Sequence, residues 1–537
     1  MKKLIIDNID GKHKEFNHYW SACVGAGRAN EALRADWRRQ FEHVVEACGF
    51  QSIRFHGIFH DDMFVYRSEY GSGFGPSSQL TEPVYTFSYV DKVFDYLIDH
   101  DVKPFVELGF MPSALATQQE TVFWWGANCS PPKDMGLWCE LVEHSVRHWT
   151  ERYGIEAVRE WRFEVWNEPN LVPFFWTGTK TQYFELYEHT VRTIKAIDSS
   201  LKVGGPATSV FVPDERYAGE TEDRRCEVAT AEATDVDALD WRPVWINEFI
   251  DYCADKGLPI DFISTHLYPT DNAFGANGEA VGISRQVNAT YADLEKLRAI
   301  IQASPYSDAE LHITEWSHSP AARDPMHDSI FAATYIARTY LKCIGLADSL
   351  AYWTFTDIFE EGGAGIGPFH GGFGLINEQG IHKPTFHVFN MLNRLGTYLE
   401  SCTPEGVVCS DENGAASGLW FNYPREMGTR PIGSVHTYEE TRYLSEYGPA
   451  VHVHHEVSGL QPGDMYALET IDCQHGDVAA AWHEMGEPIN LSRQQVEWLK
   501  IKADGLDRKK IQVNQAGVLI IDIDLAPWAV TSLYPLQ

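Results

Sequence analysis

Basic residues are scarce for a chain of this size. Against 76 Asp and Glu stand only 43 Lys and Arg, a formal net charge of -33. Such an excess repels phosphate backbones and anionic lipid, which excludes nucleic acid and membrane surfaces as partners. No stretch approaches the roughly 20 apolar residues that span a bilayer. The N-terminal MKKLIIDNIDGKHKEF offers only Leu4, Ile5 and Ile6 before Asp7, too short and too polar for a signal peptide, so a cytoplasmic protein is expected. The ten cysteines are scattered and form no CxxC, and Cys48 lies in the apolar run FEHVVEACGF. Free core thiols in a reducing compartment fit that pattern better than a disulfide framework. Neither HExxH nor GxSxG occurs, which leaves metalloprotease and serine-hydrolase chemistry without a foothold. VGAGRAN lacks the third glycine of a dinucleotide turn, and the Gly-rich GGAGIGPFHGGFG (362–374) lacks the Gly-Lys-Ser/Thr of a phosphate loop. No metal or organic cofactor is implied. His452, His454 and His455 have no neighbouring Cys or acidic cluster in sequence, so a structural role is expected for them.

Aromatic residues are plentiful: 17 Trp, 24 Tyr and 28 Phe. A large core absorbs most of them, and flat apolar faces also suit sugar rings. Between residues 16 and 395, short β-rich runs alternate with longer amphipathic stretches. Eight such runs fall at 22–27, 52–57, 103–109, 162–169, 202–207, 261–268, 311–316 and 349–357. Trp37, Phe41, Val44, Val45 and Cys48 share one helical face between the first two, and Trp245, Phe249 and Cys253 recur every four residues between the fifth and sixth. Eight β-then-α units predict a (β/α)8 barrel. From about 396 the helical period fades, and short alternating runs separated by Gly, Pro and Asn predict an accessory all-β domain of sandwich type over 396–537. Residues 1–15 are expected to pair with it.

In a barrel of this kind, chemistry is carried at the C-terminal strand ends. Those ends here read Arg54-Phe55-His56, Trp166-Asn167-Glu168-Pro169, His266-Leu267-Tyr268, Thr314-Glu315-Trp316 and Trp353-Thr354-Phe355-Thr356-Asp357. Glutamates on strands four and seven would face each other across the mouth. That is the pair needed to cleave a glycosidic bond, one to protonate the leaving oxygen and the other to attack the anomeric carbon. Glu248, in the look-alike Trp245-Ile246-Asn247-Glu248, lacks the following Pro and falls in a helical pattern, which makes it a solvated helix residue.

The segment FEVWNEPNLVPFFW (163–176) resembles the acid/base segment of the glycoside hydrolase clan with catalytic glutamates on strands four and seven. CVGAGRANEAL (23–33), IRFHGIFHDDMFVYR (53–67), ISTHLYP (263–269), HITEWS (312–317) and YWTFTDIFEE (352–361) extend the resemblance to glycoside hydrolase family 39, which holds β-xylosidases and α-L-iduronidases. These stretches run in the family's order over most of 16–395. The resemblance implies a retaining double displacement with Glu168 as acid/base and Glu315 as nucleophile. It further implies that Asn167 binds the sugar 2-hydroxyl and that His266 and Tyr268 support the site, Tyr268 through the nucleophile. His56 and Trp353 would line the non-reducing-end pocket, Phe110 would form a stacking wall, and Glu361, rather than Glu360, would bind sugar hydroxyls. The expected activity is an exo-β-xylosidase acting on xylo-oligosaccharides. Two alternatives stay open: the same machinery on an α-L-arabinoside or α-L-iduronide, and a non-catalytic carbohydrate-binding barrel. Assembly into a homo-oligomer is also left open.

Overall fold

A computed structural model describes residues 4–6, 14–70, 78–275, 277, 279–359, 361–428, 437–445 and 447–536. Eight strands close into a barrel: β1 Val24–Arg28, β2 Ser52–His56, β3 Lys103–Leu108, β4 Arg162–Val165, β5 Lys202–Ser209, β6 Phe262–Leu267, β7 Glu310–Trp316 and β8 Ser349–Tyr352. Every pairing around it is parallel, and Tyr352 opposite Val24 closes the ring. Each strand overlaps the β-rich run expected for it. Parallel strands need both faces covered, which explains why these runs are apolar on both sides and why amphipathic helices lie between them.

The helix Ala35–Cys48 shows how that cover is made. Trp37, Phe41, Val44 and Cys48 are buried, and Val45 lies at the edge of the stripe. The Trp37 and Phe41 rings stack at 5.2 Å, and Gly49 ends the helix at φ 70, a left-handed value that a side chain disfavours. Removing Phe41 down to Ala would cost about 3–5 kcal/mol. Between β5 and β6, the helix Ile246–Lys256 buries Phe249, Ile250 and Cys253 and leaves Glu248 exposed, on the outside of the barrel.

The barrel interior changes character along its axis. Cys23, Phe105, Phe262 and Ala351 form one apolar layer, with His312 packed on the two Phe rings. Toward the C-terminal strand ends the filling becomes Arg54, Glu107 and Glu164, all fully buried.

Beyond the barrel lie two sheets. Seven antiparallel strands run in the order Lys14–Glu15, Tyr398–Thr403, Gly406–Ser410, Ala416–Phe421, Val530–Pro535, Met465–Ile471, Asp507–Gln512. The second sheet joins Leu4–Ile6, Val451–Val457 and Leu519–Leu525. Trp420, Tyr466 and Leu533 of the first share a core with Val453, Leu519 and Ile521 of the second, as the inner faces of a sandwich do. Three helices, Tyr438–Ser445, Val478–Glu484 and Arg493–Ala503, also lie in this part of the chain and were not drawn from the sequence. The last starts at a Ser492/Gln495 capping box, a signal legible in Ser-Arg-Gln-Gln. Trp528 joins the sheets to the barrel by packing on Phe331 at 5.2 Å.

Candidate active site

The backbone leaves strand geometry just before the residues that matter. β4 stops at Val165, and Trp166 and Glu168 take φ values of 73 and 46. Left-handed conformations at non-glycine residues cost of order 1–3 kcal/mol and persist only where surroundings enforce them. The Glu168 N–H donates to Ala207 O (2.8 Å), the Trp166 indole N–H to Phe175 O (2.8 Å), and Asn170 bonds both the N–H and the carbonyl of Ser209. Between β6 and β7 the register slips after Thr265. A bulge of this kind re-aims side chains, and here it sits beside His266 and Glu315.

One guanidinium organises the mouth. Arg54 donates from Nε to Glu164 (2.5 Å), from Nη1 to Glu315 Oε1 (2.8 Å) and from Nη2 to Asn167 Oδ1 (2.8 Å), and Nη2 lies 2.9 Å from Glu107 Oε2. Burial disfavours its charge, but Glu164, Glu107 and Glu315 more than offset this and raise its pKa. Glu164 also accepts from Thr314 (2.8 Å); despite burial, the Arg54 charge holds its carboxyl below the usual range. Glu107 accepts from His56 Nδ1 at 2.6 Å. Burial alone would lower the His56 pKa, and the Glu107 carboxylate raises it instead.

Glu168 and Glu315 meet across this floor. Glu168 Oε1 accepts from His266 Nδ1 (2.8 Å), and Glu315 Oε2 accepts from the Tyr268 hydroxyl (3.1 Å). An oxygen of each carboxylate and a His266 ring nitrogen all lie within 4.8 Å of one another. Burial would push Glu168 up, but the His266 hydrogen bond and charge outweigh it and bring the pKa down. Tyr268 is driven well above its ordinary value by burial and by the Glu315 charge, so it remains a donor. Asn167, fixed through Oδ1, keeps an amide Nδ2 with no partner among the described residues.

A cavity of about 270 Å³ opens above these groups, lined by Glu168, Glu315, Tyr268, Trp353, Glu361 and Phe373 together with residues after β4, β5 and β6. Five residues singled out from sequence therefore face one space. His56, Asn167 and His266 stand behind that lining, joined to it by the contacts above. Phe110 is fully buried, 5.8 Å edge-on from His56 and 5.6 Å from Trp166, and braces His56 without facing the cavity. Trp353 packs over His56 at 4.8 Å, and a Cβ at Gly25 would sit 2.3 Å from its ring, so the glycine in CVGAG makes room for the indole. Burial, then the nearby Glu315 charge, push the Glu361 carboxyl up to about 8. Glu360 lies outside the described residues. Phe373 brings the Gly-rich segment 362–374 to the cavity wall.

Arg54, Glu107 and Glu164 were not singled out from sequence. Their signal was present: Arg54, Glu107 and Glu164 each stand between apolar neighbours, in Ile-Arg-Phe, Val-Glu-Leu and Phe-Glu-Val. Two other sets of histidine and carboxylate lie away from the cavity, His382–His387–Asp504 and His452–His454–Asp522. The second corrects the expectation that no carboxylates stand near VHVHH, because antiparallel pairing places Asp524 opposite His452 and Asp522 opposite His454. Among the described residues, no helix is long and apolar enough to cross a membrane.

Comparison with known proteins agrees with this geometry. The family model described as "Glycosyl hydrolases family 39" matches residues 3–223 and 236–518. A β-xylosidase of Caldicellulosiruptor saccharolyticus is 36% identical over 527 residues, covering 97% of this chain and 95% of that protein. The crystal structure of a GH39 enzyme from Xanthomonas axonopodis pv. citri superposes with a TM-score of 0.81 at 31% identity, over 98% of this chain and 96% of that one. A monomeric β-xylosidase from Caulobacter crescentus CB15 gives 0.79 at 31% identity, over 98% of both chains. The chain is a glycoside hydrolase and belongs to glycosyl hydrolase family 39.

Proposed function

We propose that the protein is a retaining exo-β-xylosidase that removes xylose from the non-reducing end of xylo-oligosaccharides. The observation that carries the mechanism is the separation of the two carboxylates. One oxygen of each carboxylate within 4.8 Å suits the roughly 5–5.5 Å separation of a double displacement better than the about 6.5–9.5 Å that an inverting enzyme needs for its intervening water. The xylose assignment is supported by the two β-xylosidases above. Glu315 attacks the anomeric carbon while Glu168 protonates the departing oxygen, which gives a xylosyl ester on Glu315. Glu168 then takes a proton from water as that water attacks the same carbon and releases Glu315.

In the free site the His266 proton holds Glu168 low. A bound sugar strips away solvent beside the ionised Glu315, and this pushes Glu168 toward its acid form. Asn167 Nδ2, with no partner among the described residues, would donate to the sugar 2-hydroxyl, a bond that strengthens as the transition state forms. The barrel region 16–395 would hold all of this chemistry, with 1–15 and 396–537 forming the accessory part.

An iduronide is disfavoured by the cavity itself. Glu168, Glu315 and Glu361 already crowd it with carboxyl groups; of the two arginines in its wall, Arg216 is matched by Asp214 and Asp271, and Arg224 shares the wall with Glu222. Kinetics on a panel of nitrophenyl glycosides test the reading. Release from the β-xyloside should exceed that from the α-L-arabinoside and α-L-iduronide, and absence of release from the xyloside would reject it. A 2-fluoro-xyloside should label Glu315.

A further inference from the structure

Apart from Glu168 and Tyr268, the cavity wall after β4, β5 and β6 has no part in the chemistry just described. It holds Phe174, on the segment that follows Glu168, together with Tyr217, Arg216, Asp271 and Asn272. Arg216 is 1% exposed and Asp271 6%. Asp214 grips the guanidinium at Nε (2.9 Å) and Nη2 (2.8 Å), while Nη1 donates to Asp271 Oδ1 at 3.0 Å and Nη2 lies 3.0 Å from Asp271 Oδ2. Thr230 donates to Asp214 at 2.8 Å and locks the far end. This ion cluster does not cement the barrel, since its members stand on segments beyond the strand ends. It fixes a carboxylate in the cavity wall. Phe174, by contrast, is 58% exposed, an apolar ring left facing solvent at the rim.

A buried, clamped carboxylate beside an open aromatic face is the pairing that recognises a neutral sugar. Asp271 Oδ2 is closed off from solvent, so Oδ1 is the atom that accepts from a hydroxyl, with a lone pair the guanidinium leaves free, and the ring covers the apolar face of the pyranose. We propose that Asp271, held by Arg216 and aided by Asn272, reads the hydroxyls of the leaving-group sugar, and that Phe174 stacks on its ring. This rests on the reading of the site as a xylosidase. The position follows from the chemistry: Glu168 must reach the glycosidic oxygen, so the departing sugar lies on its side of the cavity. Arg216 and Arg224 on this wall stand against three carboxylates, Asp214, Glu222 and Asp271. The subsite therefore favours a neutral leaving sugar over a uronate.

The test compares two substrates with the same glycone. In β-xylosyl fluoride the leaving group is one atom and spans no subsite; in xylobiose it is a xylose. Asp271→Asn and Phe174→Ala should each lower the ratio of kcat/KM on xylobiose to that on the fluoride by tenfold or more. Tenfold corresponds to about 1.4 kcal/mol of leaving-group contact. Phe174 lies at the surface, so its replacement reports even if the Asp271 variant folds poorly. An unchanged ratio in Phe174→Ala, or in a folded Asp271→Asn, overturns the subsite. A wild type inert on the fluoride would instead reject the choice of glycone. Calorimetry with xylobiose on the Glu315→Gln protein would then decide the subsite, where weakened binding in both variants supports it and no binding, or binding that both variants keep, overturns it.

Discussion

Two clusters in this molecule are built from the same kinds of side chain and differ in almost everything else. At the barrel mouth, Arg54, Glu107 and Glu164 are shut away from water, and Glu315, at the cavity wall, is 7% exposed. On the outer sheet, His452 meets Asp524 (2.9 Å) and Asp522 (3.3 Å), and His454 meets Asp522 (3.2 Å), all open to solvent to 30% or more. Distances hardly distinguish them. Environment does: Coulomb energy scales inversely with the effective dielectric, and a buried charge that loses its partner cannot turn to water. Burial makes the first cluster decisive for fold and chemistry. Exposure leaves the second a solvated face.

Substitutions can break that contrast. Glu315→Ala should lower kcat/KM on every β-xyloside by on the order of 10⁴-fold or more, since no other group can form the covalent intermediate; retained turnover with an intact fold would remove Glu315 from its role. Arg54→Met should come next, stranding three buried carboxylates at about 3–5 kcal/mol of stability, read by denaturant unfolding. Its mirror image outside, His452→Ala with His454→Ala, should move stability by about 0.5 kcal/mol or less, and added salt should erase even that. A large salt-insensitive loss there would show that exposure is not what separates the clusters.

Protons sharpen the comparison further. Removing the His266 donor takes away what holds Glu168 low, so His266→Asn should move the alkaline limb of kcat/KM upward. Glu361 gives a smaller effect, visible in stability. Its carboxyl, pushed up to about 8, titrates near 4.3 in the unfolded chain. The unfolded state therefore gives up that proton first, and stability falls as pH rises between the two values. Glu361→Gln should be more stable than wild type at pH 8, and the two melting curves should converge near pH 4.

Much of this was legible in advance where a residue's role depends on local order. Asn167-Glu168-Pro169 and HITEW announce strand ends, and the eight β-rich runs recur as the eight barrel strands. Arg54 was harder. It reads as one cation in SIRFHG, and its weight comes from Glu107 and Glu164, which lie 53 and 110 positions further along and are reached only by closing the barrel. The helix Arg493–Ala503 was missed because a weak amphipathic pattern stood among strands, although its capping box was there to see. Phe110 read as a stacking wall because it follows β3, yet its ring turns inward to pack on Trp166 and His56.

Sequence alone determined the alternation of strand and helix, the absence of cofactor motifs, and the two glutamates at strand ends, because each follows from residue type and spacing along one segment. Tertiary structure decided what those glutamates can do. It set one oxygen of each within 4.8 Å, gave His266 to one and Tyr268 to the other, and tied Arg54 to Glu315 and to Asn167, the neighbour of Glu168. It also placed Asp522 and Asp524 opposite the histidines that seemed to stand alone. Reactivity and charge pairing depend on distance and on exclusion of water, and neither exists until distant parts of the chain have come together.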